Sequence, residues 1–194
     1  MNDAVPLRDR AARREVLLDA ADRIVRRDGP AASMAAIAAE AGISKPILYR
    51  HFGDKSGLYA ALAERYTTRL LDDLQAALRS GTTRRDRVER TIGAYLSAIE
   101  EEPQVYRFLV HSDEAAPAQS QVRSFTRRLS VLLADGIATE IDAPPARAAA
   151  WGHGIVGMVQ AAGDWWLETG GATRTELVEE LTALLFGAYG TSPS

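Results

Sequence analysis

Ser44, Lys45, Tyr49, Arg50, His51 and Lys55 crowd into one short stretch; all are hydrogen-bond donors, and three are cationic. Donors on the outer face of a helix suit phosphate oxygens and base edges in a DNA groove. The same pattern also fits a plain amphipathic hairpin with a solvated polar face. Other chemistry is poorly served. No serine sits in a nucleophile elbow, no glycine-rich phosphate loop follows a strand, and no H-E-x-x-H occurs. Glu100-Glu101-Glu102 imitates a metal site, but consecutive residues point different ways around a helix. With no cysteine, disulfides, thiol catalysis and thiolate metal sites are excluded. His51, His111 and His153 are too far apart in sequence to share a helix turn. No enzyme, metal or cofactor is expected.

The elements that must position the donors read as helices almost throughout, because Ala, Leu, Arg and Glu dominate and no strand-like alternation persists. A first helix is predicted over about Leu7–Arg27, with Leu17, Ala21, Ile24 and Val25 as its buried stripe and Asp28-Gly29-Pro30 as its stop. Two short helices follow, Ser33–Glu40 and Ser44–Phe52, joined by Ala41-Gly42-Ile43. These are helix-turn-helix proportions. Ile37, Ala38, Ala41, Ile43, Ile47 and Leu48 would hold the pair at a steep angle. Asp54 caps a long helix to about Arg79. Further helices are predicted over Arg84–Glu101, Gln104–His111, Ser120–Glu140, Pro145–Glu168 and Thr173–Tyr189, the last opened by the capping box Thr173-x-x-Glu176. Ser112–Pro117 reads as a loop.

The fold class is therefore all-α, with about nine helices. At 194 residues the chain is long enough for one or two domains. The expected division is a helix-turn-helix domain over residues 1–55 and a helical body over 56–194. Residues 1–60 hold ten Lys or Arg against eight Asp or Glu, and 61–194 hold thirteen against eighteen. A mildly basic end on an acidic body says where an anionic partner would dock. No apolar run approaches the roughly 18 residues that span a bilayer, and the start lacks an apolar signal core, so a cytoplasmic location without membrane contact is expected.

The stretch from Met34 to Leu62 resembles the DNA-binding domain of the TetR family of transcriptional repressors. The shared features are Ser33 with Ile37-Ala38, then Ala41-Gly42-Ile43-Ser44, then Leu48-Tyr49-Arg50-His51-Phe52, then Lys55. The resemblance implies a double-stranded DNA operator as partner. It places Ser33, Ser44, Tyr49, His51 and Lys55 on phosphates, and Lys45, Pro46 and Arg50 toward base edges. Pro46 departs from the small or polar residues common there, and offers apolar contact only. Arg8, Arg10, Arg13 and Arg14, ahead of the first helix core, are candidates for phosphate or minor-groove contact, or for a solvated face.

One short recognition helix reads few base pairs, so such proteins pair and read pseudo-palindromes. A homodimer is expected through the last two helices, with Gly152, Val156, Val159 and Trp166 on one and Leu177, Leu181 and Leu184 on the other. The resemblance also implies a small-molecule effector, apolar or amphipathic, held in the helical body. Phe108, His111, Phe125, Trp151, Met158 and Trp165 are the expected lining. Effector binding would move the long fourth helix and change the spacing of the recognition helices. The competing reading is a helical ligand-binding protein that does not bind DNA.

Overall fold

The computed structural model describes residues 4–111 and 116–190, with side chains over 10–110 and 119–187. Arg8 and the His111 side chain fall outside that range, as do residues 112–115 of the expected loop. Among the described residues there are nine α-helices and no strand: α1 Ala4–Asp28, α2 Met34–Glu40, α3 Lys45–Phe52, α4 Lys55–Ser80, α5 Arg84–Glu101, α6 Pro103–His111, α7 Ala116–Ile141, α8 Pro145–Thr169 and α9 Arg174–Gly190. No described helix is long and apolar enough to cross a membrane.

The chain forms two compact units, Met1–Thr67 with Glu102–Val122, and Thr68–Glu101 with Arg123–Ser194. They differ from two consecutive segments meeting at 55/56, because α6 returns to pack on α1 and on the 3₁₀ turn Gly29–Ala31. In the first unit Leu17, Leu18, Ala21, Ile24 and Val25 of α1 meet Ile37 of α2, Leu48 and Phe52 of α3, Leu58 and Leu62 of α4, and Phe108 of α6. Tyr59 joins them: its hydroxyl donates to the Ala32 carbonyl at 2.5 Å, and its ring meets Phe108 edge-on at 4.9 Å. The acidic run at the end of α5 is divided. Glu102 pairs with Arg26, Glu100 pairs with Arg174, and Glu101 accepts from Ser97. No metal-holding cluster exists among the described residues.

In the second unit α5 packs against α8 and α9. Its start is capped reciprocally: the Thr83 hydroxyl accepts from the Asp86 N–H at 3.1 Å, while the Asp86 carboxylate accepts from the Thr82 N–H at 2.9 Å. The Thr173–Glu176 box at α9 forms as the sequence predicts, at 3.2 and 2.8 Å.

The side of α8 expected to face a second copy faces inward instead. Gly152 lies against the backbone of Ser130 and Ala134 on α7, and Gly163 against Ile99 and Tyr95 of α5. Val156, Val159 and Trp166 are buried beside them, and Leu177 and Leu181 of α9 are buried as well. The glycines serve close helix approach, but within the chain. Of the seven residues expected at the interface, only Leu184 stands open, at 58% exposure.

A methyl group at Gly152 meets backbone atoms that cannot swing aside, whereas at Gly163 it meets the ends of the Ile99 and Tyr95 side chains. Gly152→Ala is expected to destabilise the protein by about 1–3 kcal/mol through overpacking, despite alanine's better helix propensity. Gly163→Ala should cost less. Urea unfolding midpoints test this; an unchanged midpoint for Gly152→Ala would contradict the close approach of α7 and α8.

Candidate functional site

The α2–α3 pair is built by local rules. Ser33 caps α2, its hydroxyl accepting from the Ala36 N–H at 3.2 Å. Gly42 turns the chain at φ 65°, where a side chain is disfavoured, and the Ile43 N–H closes the turn on the Ala38 carbonyl at 3.0 Å. Ser44 opens α3 with extended backbone and makes no side-chain cap, so its hydroxyl is not used for capping. Pro46 sits in the first turn of α3, where no N–H is missed. Gly53, at φ 82°, ends the helix, and the Asp54 carboxylate accepts from the Gly57 N–H at 2.7 Å to begin α4.

Leu48 and Phe52 turn α3 inward. The helix period then leaves Lys45, Pro46, Tyr49 and Arg50 on one open side, with Tyr49 38% exposed. His51 and Lys55 flank that side half-buried, the Lys55 ammonium lying 5.4 Å from the centre of the Tyr59 ring. α1 adds charge to the same region. The Arg14 guanidinium covers the Phe52 ring at 4.9 Å. Burial, together with the fields of Arg10, Arg13, Arg50 and Arg14, holds the His51 imidazole below its ordinary pKa. Four arginines acting on one histidine make this a positive pole. Of the residues expected to face DNA, Lys45, Pro46, Tyr49 and Arg50 lie on the open side of α3, Ser44 is exposed just ahead of it, His51 and Lys55 flank it, and the Ser33 hydroxyl is engaged in its own helix cap.

The second unit holds a partly open apolar cavity of about 200 Å³ between α4, α5, α7, α8 and α9. Its wall is mainly aliphatic: Leu74 and Leu78 of α4, Leu129, Leu132, Leu133 and Ile137 of α7, and Ile155, Val156 and Val159 of α8. Phe125 is the one expected aromatic that lines it. Phe108 lies in the core of the first unit, sealed there by Tyr59. Trp165 is half exposed, and Trp151 and Met158 are not part of the wall. The aromatic residues stand out by type, but the apolar repeat of α7 from Phe125 to Ile137 is the better signal. Arg84, Arg87 and Glu140 also border the cavity, and no sequence pattern singles them out.

Residues 17–62 match the family described as bacterial regulatory proteins, tetR family, and residues 73–194 match the tetracyclin repressor-like C-terminal domain. An uncharacterised HTH-type transcriptional regulator of Mycobacterium tuberculosis is 32% identical over 180 residues, which is 91% of this chain and 76% of that protein. The HTH-type transcriptional activator FasR of Mycolicibacterium smegmatis is 32% identical over 157 residues, covering 80% of this chain and 72% of FasR. A TetR-like transcriptional regulator from Rhodococcus sp. RHA1 has the same fold in its crystal structure, with TM-score 0.70 and 27% identity over 93% of this chain and 98% of that one. Both parts of the chain are thus matched, and the protein belongs to the TetR family of helix-turn-helix DNA-binding transcriptional regulators.

Proposed function

We propose that this regulator is a cytoplasmic repressor that binds a pseudo-palindromic operator as a homodimer and releases it when a small apolar or amphipathic molecule fills the cavity of the second unit. The observation that carries the reading is the open α3 side, with Lys45, Tyr49 and Arg50 set beside the positive pole around His51. Each α3 would enter a major groove, two of them about 34–36 Å apart. Ser44, Tyr49, His51 and Lys55 would hold phosphates, while Lys45, Pro46 and Arg50 face base edges. α4 runs from the first unit into the second, which makes it the natural carrier of the ligand's effect. The ligand shifts the balance only by its differential affinity for the two states. The dimer face we assign is the open side of α8, namely Gly154, Gly157, Ala161 and Trp165, with Leu184 of α9.

The test is binding of the DNA upstream of the protein's own gene, measured against salt. Phosphate contacts release counterions, so affinity should fall steeply as salt rises. No preference for that DNA over unrelated sequence would count against the proposal. The name of the FasR relative favours a second reading, activation. A reporter gene behind the operator separates the two by the sign of its response.

Operator binding should also depend on pH in a defined direction. In the free protein burial, together with its cationic neighbours, holds the His51 imidazole below its ordinary pKa. A phosphate in contact reverses that field and raises its pKa, so binding takes up a proton. Affinity is therefore expected to rise as pH falls through the bound-state pKa and to level off below the free-state one. His51→Gln should remove this component of the pH dependence. A pH profile unchanged by that substitution would place His51 away from phosphate.

A further inference from the structure

The wall of the cavity in the second unit is mostly apolar, and its charged groups lie at one place. The Thr91 hydroxyl is used within its own helix, donating to the Arg87 carbonyl at 2.8 Å. The Gln160 amide donates to the Thr126 hydroxyl at 3.2 Å. Tyr95 also borders the cavity, whose charged groups are Arg84 and Arg87 in the opening turns of α5 and Glu140 at the end of α7. Arg87 is paired with Glu140, and the Arg84 Nε lies 3.6 Å from the other oxygen of the same carboxylate. One carboxylate thus serves two guanidinium groups.

Resting on the effector reading above, we infer that the ligand of this cavity is an anionic amphiphile whose head group replaces Glu140 on Arg84 and Arg87, while its tail fills the aliphatic space between α4, α7 and α8. Three points support this. First, the cavity as a whole, at about 200 Å³, exceeds the roughly 150 Å³ of an engineered apolar cavity that admits benzene. Second, a cationic head would face two guanidinium groups, and a neutral head would leave the cluster untouched and gain only from burial of its tail. An anion finds paired donors suited to two-pronged contact. Third, Glu140 is 38% exposed, so the displaced carboxylate can turn to water rather than remain buried and unpaired. The ligand carboxylate replaces a long Arg84 contact of 3.6 Å with two-pronged pairing, and this gain adds to burial of the tail. The exchange also unties the start of α5 from the end of α7, since the tie is the Glu140 carboxylate itself.

The experiment uses the full chain and three probes with one tail: decanoate, decanol and decylamine, at neutral pH and below their aggregation concentrations. Binding is measured by calorimetry, and operator release by gel shift. Decanoate is expected to bind at least tenfold more tightly than decanol, with decylamine weakest. Arg84→Gln with Arg87→Gln should abolish the decanoate advantage and leave decanol binding unchanged, which also shows that the cavity is intact. Glu140→Gln removes the competing carboxylate and should tighten decanoate several-fold, again without effect on decanol. Equal affinities for decanoate and decanol, weaker decanoate binding by Glu140→Gln, or no binding of any probe overturns the inference. Operator release keeps the two readings apart. If decanol and decanoate bind equally and both release the operator, the head-group assignment fails and the effector role stands. If decanoate shows its preference but the operator stays bound, the head-group assignment stands and the effector role fails.

Discussion

Ala161→Arg is expected to leave the chain folded and to convert it to a monomer with little hold on its operator. In the single chain Ala161 is exposed, and a methyl group at Gly154 or Gly157 would meet nothing within 4 Å. Exposed substitutions of this kind usually change stability by no more than about 0.5 kcal/mol. Yet a surface of small residues carrying a half-exposed Trp165 is poorly suited to water and well suited to a close-lying helix. Around a twofold axis each residue meets the same patch on the other copy. Two arginines would then confront each other where only small residues fit, and like charges so placed cost several kcal/mol. A monomer offers one recognition helix instead of two linked ones, and operator affinity should fall about 10²–10⁴-fold. Sedimentation equilibrium reads the assembly, and a thermal melt shows that the fold survives. Val131→Arg is the control: Val131 is also 50% exposed, but on α7, and its substitution should leave the dimer unchanged. A dimer that persists at micromolar concentration in Ala161→Arg would move the interface elsewhere.

Arg50→Ala is expected to weaken operator binding by about 1–3 kcal/mol and to relax discrimination at the base pair that it contacts. Arg50 lies on the open side of α3 and carries a guanidinium that can grip guanine with two bonds. Tyr49→Phe and Lys55→Ala should act differently, lowering affinity for all sequences alike, because phosphates carry no base identity. Removing one cation from a phosphate should flatten the slope of log affinity against log salt by about 0.9. Competition binding against operators altered one base pair at a time makes the distinction. Were Arg50→Ala to lose affinity evenly across them, its guanidinium would belong on the backbone of the DNA.

How far the sequence can be read depends on how local the governing physics is. The α2–α3 unit depends on neighbours in sequence: the Ser33 cap, the positive φ of Gly42, proline in a first turn, and a period that buries Leu48 and leaves Lys45, Tyr49 and Arg50 outside. The caps at Asp54 and Thr173 are legible for the same reason. The cavity is less so. Phe108 and Phe125 are alike in type, but α6 folds back onto α1 while α7 lines the cavity of the second unit, so only Phe125 meets the open space. Glu140 and Arg87 lie 53 residues apart, and no spacing rule joins them.

The helices, their ends and the donors of the recognition surface follow from the sequence alone, since each rests on interactions within a few residues. Which side of α8 turns inward does not. Gly152 and Gly163 line one side and Gly154 and Gly157 the other, so both sides are small and apolar, and periodicity cannot choose between them. The choice is made by α7 and α5, whose backbone and side chains press on Gly152 and Gly163 and leave the opposite side open. It is a packing decision between distant segments, settled only when the chain has folded.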